Sequence, residues 1–135
     1  MQEDYDNSGL IVGDSSADIT KALIALDITE DVMDEAIAGK FNLIISHHPM
    51  VFSGMKKFTG KSATERLITS ALKKDIAIIA LHTNLDNYSK GVNHLLCEKL
   101  GIRNPIILRP MADRLFKLVT FCPHSHASAV RESLF

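Results

Sequence analysis

Two histidines stand side by side at positions 47 and 48, directly after the run Leu43-Ile44-Ile45-Ser46. Imidazole suits Zn, Fe, Ni or Mn. Adjacent side chains of an extended chain point to opposite sides. The pair therefore reaches two ions in a loop, or one ion and one wall of a pocket. A second polar cluster, His82-Thr83-Asn84-Leu85-Asp86-Asn87, follows the run Ile76 to Leu81. A carboxylate can span two cations, and two-metal sites hold their ions about 3.5–4 Å apart. Asp86 is thus a candidate metal ligand beside His47 and His48. His82, four residues earlier, either binds an ion or orients a carboxylate. Taken alone, a His-His pair more often has one packed and one solvated ring, and an Asp at a turn caps it as readily as it binds metal. Two histidines and an aspartate at one sheet end favour the metal site.

Other chemistries find less support. No GxGxxG is present, and Gly9-x-x-x-Gly13 lacks the Lys and Ser/Thr of a phosphate loop. Ser8, Ser46 and Ser53 lack the GxSxG elbow of a serine hydrolase. His94 sits among apolar helix residues and reads as structural. His124-x-His126 mimics a metal spacing but falls at a helix start. Cys97 and Cys122 form no CxxC pair and read as packed, reduced thiols, which points to a cytoplasmic protein.

These residues need a scaffold. The chain has 135 residues, 46% hydrophobic and 23% charged, the balance of a globular domain. Fifteen basic and 16 acidic residues give a net charge of −1, so nothing electrostatic favours nucleic acid or a membrane surface. No apolar run approaches the roughly 18 residues of a membrane span, and no charged-then-apolar leader pattern opens the chain.

Leu10-Ile11-Val12 and Ala22 to Leu26 are short β-capable runs divided by the turn cluster Gly13 to Ser16. Thr29 offers an N-cap to a helix with Val32, Met33, Ala36 and Ile37 at helical spacing and Gly39 as its stop. Leu43-Ile44-Ile45 and Ile76 to Leu81 read as strands buried on both faces. Between them, Met50 to Lys61 reads as a loop, and Ser62 caps a helix carrying Leu67, Ile68, Ala71 and Leu72. A further helix spans about Gly91 to Leu100, with Val92, Leu95, Leu96 and Leu100 inward. A short run, Ile106 to Leu108, precedes a loosely alternating strand from Leu115 to Phe121, and a last helix begins at Ser125. Strand–helix alternation implies crossovers and an α/β fold, a mostly parallel sheet with helices on both faces. Ligands of such sheets bind off the carboxyl ends of the strands. That rule selects His47-His48 and His82 to Asp86.

The motifs Asp6-Asn7-Ser8-Gly9-Leu10-Ile11-Val12-Gly13, Leu43 to Phe52 with Ser46-His47-His48-Pro49, and Leu81-His82-Thr83-Asn84-Leu85-Asp86 with Gly91-Val92-Asn93 resemble the Nif-three-like dinuclear-metal family. Its members are often labelled GTP cyclohydrolase type-2-like. The resemblance covers about residues 5–108. It implies a pair of divalent metals per subunit (Zn, Fe, Mn or Ni), a nucleotide-type small-molecule substrate and a toroidal homohexamer. It implies His47, His48 and Asp86 as metal ligands, with His82 in support. Residues 1–110 then form the N-terminal lobe. Residues 111–135 resemble the start of a PII-like insert, cut short at Phe135. The family's opening helix, and its second half with a further His and Glu for the metals, have no match here. The expectation is a metal-dependent hydrolase lobe that binds ions weakly, loses them in acid and lacks turnover alone. Its sheet would expose apolar surface meant for the partner lobe. The competing reading is a metal-binding regulatory or scaffold protein without turnover.

Overall fold

The computed structural model describes residues 2–110 and 117–134. Two compact units divide at Arg103/Asn104. In the first, four strands form one sheet: β1 (Gly9–Val12), β2 (Ala22–Ala25), β3 (Leu43–Ser46) and β4 (Ala77–Ala80), in the order β1-β4-β3-β2. The expected crossovers are present. β2 pairs parallel with β3, and β3 parallel with β4. β1 runs antiparallel to β4 with a register shift between Leu10 and Val12, so the sheet is mixed.

Local chemistry sets the helix starts. α1 (Glu30–Ala38) begins at Thr29, whose hydroxyl accepts from the Val32 amide at 3.2 Å. α2 (Ala63–Lys73) begins at Ser62, which accepts from the Glu65 amide at 3.2 Å. Glu65 reaches back to accept from the Thr59 and Lys61 amides, a variant of the capping box that also folds the preceding loop. Gly39 closes α1 for a steric reason. A Cβ there would run into the Phe41 ring, and it is Lys40, at φ 55°, that takes the left-handed turn.

The side chains of Ile44 and Ile78 are wholly buried and in register with each other. α1 and α2 pack over them through Met33, Ala36, Leu67, Ile68 and Ala71, with Val12 from β1 completing the core. Leu72, expected with the buried face of α2, is exposed, because it lies on the flank turned away from this core. The opposite face of the sheet differs. The registers align Leu10, Ile79, Ile45 and Ile24 in one row across all four strands. Leu10 is 44% and Ile24 79% exposed. Apolar surface therefore lies open there among the described residues.

Downstream elements depart further from the sequence reading. The polar cluster His82 to Asn87 holds a one-turn helix, α3 (Thr83–Asp86). α4 (Val92–Lys99) forms as expected, but none of its residues is buried, and Leu95, Leu96 and Leu100 are exposed. It rests on α3. In the second unit, residues 117–121 form no strand, and no neighbouring strand offers pairing among the described residues; Leu115 and Phe116 lie outside them. Ile106 to Leu108 is likewise irregular and exposed. A 3-10 turn at His124–His126 leads into α5 (Ala127–Leu134). Cys97 is half-buried, but Cys122 is exposed rather than packed.

Removing the sheet's central contact should be costly. Ile78→Ala is expected to destabilise the fold by about 3 kcal/mol through lost burial and a residual cavity. Urea unfolding followed by circular dichroism measures it, and a loss under about 1 kcal/mol would mean that this core is looser than described.

Candidate metal centre

Parallel strands deliver their following residues to one edge. Ser46 is in register with Ala80, so His47 and Leu81 leave the sheet together and His82 comes next. The ladder continues past the strands. The Leu81 amide donates to Ser46 O at 2.8 Å, and the His47 and His48 amides donate to Ala25 O and Leu26 O at 3.2 and 3.0 Å. The chain bends at His47-His48, so the two rings do not diverge as extended chain would make them. Their centroids are 5.0 Å apart, and His82 lies 5.4 Å from His47 and 5.8 Å from His48.

The three histidines share one further property. Nδ1 of each is already bonded. His47 Nδ1–H donates to Leu81 O at 2.8 Å, His48 Nδ1–H to Asp27 Oδ1 at 2.7 Å, and His82 Nδ1–H to Asp6 Oδ1 at 2.8 Å. A carbonyl or carboxylate oxygen only accepts, so the proton sits on Nδ1 in each case. In a neutral ring this leaves Nε2 its lone pair, the form that binds metal. One ring nitrogen from each of the three lies within 4.8 Å of those of the other two.

Asp86, at the end of α3, adds the carboxylate. Its Oδ1 stands 3.7 Å from His47 Nε2. Two donors on one tetrahedral ion, with bonds of about 2.1 Å, stand roughly 3.4 Å apart. The spacing therefore suits a shared ion better than a direct hydrogen bond. Gly91 helps to place this turn: a Cβ there would strike the Leu85 carbonyl, so only glycine lets α4 start so close to α3. Neutral imidazoles with a carboxylate form a donor set that fits Zn, Fe, Mn or Ni. Phe52 meets the His82 ring edge-on at 6.0 Å. The His47 and His82 side chains are mostly covered, at 20% and 19% exposure, whereas His48 and Asp86 face solvent at 48% and 36%.

The structure brings His47, His48 and His82 together, and Asp86 approaches His47. His94 does not join them; it pairs with Glu98 along α4 at 3.3 Å. His124 and His126 belong to the second unit. Sequence reasoning missed Asp27 and gave Asp6 no role. Asp27 had a signal: β2 runs parallel beside β3, so the residues after Ala25 sit level with those after Ser46.

Asp6 is the most heavily bonded group of the site, and its side chain has no exposed surface. Besides His82 it accepts from the Ser8 hydroxyl, from the Asn7 amide at 2.7 Å, and from the Thr83 amide and hydroxyl. Burial by itself raises a carboxyl pKa, but the bonds from Ser8, Thr83 and His82 outweigh it and hold Asp6 well below the usual carboxylate range. A lowered folded pKa means stability that is complete above the unfolded value of about 3.9 and is lost as pH falls below it. Wild type should thus be more stable than Asp6→Asn near neutrality, with the gap narrowing as pH drops from about 5 to about 2. Denaturant midpoints across that range measure it; a constant gap would contradict the ionised, hydrogen-bonded Asp6.

With this geometry in place, comparison with known proteins is specific. The family model described as Duf34/NIF3 (NGG1p interacting factor 3) matches residues 1–132. The chain is 42% identical over 130 residues to a protein of Halalkalibacterium halodurans named GTP cyclohydrolase 1 type 2 homolog, covering 96% of this chain and 35% of that protein. Among solved structures, a Bacillus cereus protein related to NIF3 matches with a TM-score of 0.76 and 38% identity, over 98% of this chain and 37% of that one. Reduced HcgD from Methanocaldococcus jannaschii matches with a TM-score of 0.71 and 32% identity, over 79% of this chain and 43% of that one. The chain thus spans about a third of the length of the curated relatives it matches. It belongs to the Duf34/NIF3 family.

Proposed function

We propose that this chain is the divalent-metal-binding N-terminal lobe of a metal-dependent hydrolase that acts on a small nucleotide-type substrate. The observation that carries the reading is the set of three histidines, each bonded through Nδ1, with a ring nitrogen of each within 4.8 Å of those of the other two and Asp86 close to His47. His47 and His48 would each hold one of two ions, Asp86 would bridge them or hold one, and His82 would complete the donor set or orient it. A divalent ion lowers the pKa of bound water to roughly 7, which supplies a nucleophile at neutral pH. The residues around it fix the rest. Leu81 O, Asp27 and Asp6 hold the rings by their Nδ1 protons, and the half-exposed side of His48 and Asp86 leaves room for a substrate to approach. GTP is the first substrate to test, because the Halalkalibacterium halodurans relative bears the name GTP cyclohydrolase 1 type 2 homolog. The completed site, the homohexamer and a cytoplasmic location belong to the full-length protein on this reading, with residues 111–135 opening a PII-like insert.

The test has two arms. Zn²⁺ calorimetry on the 135-residue chain should show weak uptake near pH 7.5 that fades below about pH 6, because histidine must be neutral to bind and has a reference pKa of about 6.5. Tight uptake of two ions at about pH 5 would contradict the ligand set. The second arm follows GTP by absorbance and fluorescence for a pteridine product, with this chain and with a version extended to the relatives' length. Turnover is expected only from the extended protein. Equal turnover from both would show the active-site assignment to be wrong. Tight nucleotide binding without turnover, under several metals, would favour the regulatory reading.

A further inference from the structure

The Asp6-Asn7-Ser8-Gly9 segment leads into β1, and Asp6 lies 76 residues from His82, yet it is built into the metal centre. Its contacts divide between the two histidine-bearing loops. Asn7 Nδ2 donates to Val51 O at 2.7 Å, which ties the segment to the chain just after His48 and Pro49. The Glu3 amide donates to Thr83 Oγ1 at 2.9 Å, and Asn87 Nδ2 to Glu3 Oε1 at 3.0 Å, which tie it to α3. Asp6 lies between these ties. Its Oδ2 is taken by Ser8 and Thr83, and its Oδ1 by the Asn7 amide and the His82 ring.

We infer that Asp6 is the positioning residue of the metal centre: it selects the Nδ1–H form of His82 and aims its Nε2 at His47 and His48. The inference rests on the metal reading above and extends it to a residue that touches no ion. Four groups donate to Asp6 besides His82, and all are fixed by backbone or by short side chains, so the carboxylate cannot turn away from the ring. Both of its oxygens already accept from these donors, so it meets the ring as an acceptor and His82 presents Nδ1–H to it. The Nε2–H form, which would block metal at this ring, is thereby excluded. A carboxylate on the far nitrogen also raises the basicity of the ligating one, and losing such a partner typically weakens metal affinity about 10–100-fold. The other two histidines are held differently. His47 bonds a backbone carbonyl, and His48 bonds Asp27, whose side chain is 59% exposed. Asp6 is the one wholly covered carboxylate of the three supports, so the N-terminal segment and the metal centre form one unit.

The experiment is a double-mutant cycle read by two methods. In metal-free protein, long-range proton–nitrogen NMR identifies the His82 tautomer. Co²⁺ titration gives affinity for wild type, Asp6→Asn, His82→Ala and the double variant. Expected results are the Nδ1–H form of His82 in wild type and a roughly 10–100-fold loss of Co²⁺ affinity in Asp6→Asn. In the His82→Ala background, Asp6→Asn should cause no further loss. Equal losses in both backgrounds would show that Asp6 acts through general structure, and an Nε2–H His82 in wild type would overturn the inference even if Asp6→Asn fails to fold. No Co²⁺ uptake by wild type, with His82 in the Nδ1–H form, would overturn the metal reading itself and with it the use made of Asp6.

Discussion

The parallel register of β2, β3 and β4 is the constraint on which the rest depends. Side-by-side strands running the same way end at one edge, and here Ala25, Ser46 and Ala80 stand in line. Asp27, His47-His48 and His82 follow within two residues of those ends. The sheet's backbone hydrogen bonding continues into these segments, so His47, His48 and Leu81 are held as firmly as strand residues. A slip of one residue between β3 and β4 would turn Ile44 and Ile78 out of the core. It would also carry His82 away from His47. Core packing and site assembly are therefore enforced by the same apolar contacts.

On that frame, specificity comes from how each ring is pinned. A free imidazole can place its proton on either nitrogen, and only the unprotonated one binds metal. Leu81 O, Asp27 and Asp6 each take the Nδ1 proton. Three independent acceptors in one corner of a small fold are hard to explain as packing alone, because imidazoles of a purely structural cluster gain nothing from sharing a tautomer. A covered acceptor at His82 and an exposed one at His48 grade the site from a rigid wall to an open rim.

Much of this was legible in the sequence where signals are local. The caps at Thr29 and Ser62, the strands at Leu43 and Ile76, and the polar clusters that follow them are written in adjacent residues, and the structure bears them out, although those strands are fully covered on one face only. His47, His48, His82 and Asp86 could be grouped because the strand-end rule needs only element order. What escaped was long-range or depended on a neighbour. Asp6 meets His82 across 76 residues and Asp27 meets His48 across 21, and neither pairing leaves a periodic trace. The antiparallel entry of β1 could not be seen because a four-residue strand carries no direction in its composition. The helical spacing of Leu95, Leu96 and Leu100 correctly marked α4, but amphipathicity states which face is apolar, not whether anything covers it. The row Leu10, Ile79, Ile45 and Ile24 makes the same point for the sheet.

The claim on which everything else rests is that the Nε2 atoms of this cluster are metal donors. It is tested most directly by an anomalous difference map from crystals of the protein grown with Zn²⁺. A peak is expected about 2.0–2.1 Å from Nε2 of His47 or His48, with Asp86 turned toward it and the three Nδ1 bonds intact. Zinc on an Nδ1 atom of the cluster, or at His94, His124 or His126 with none at His47 and His48, would contradict it.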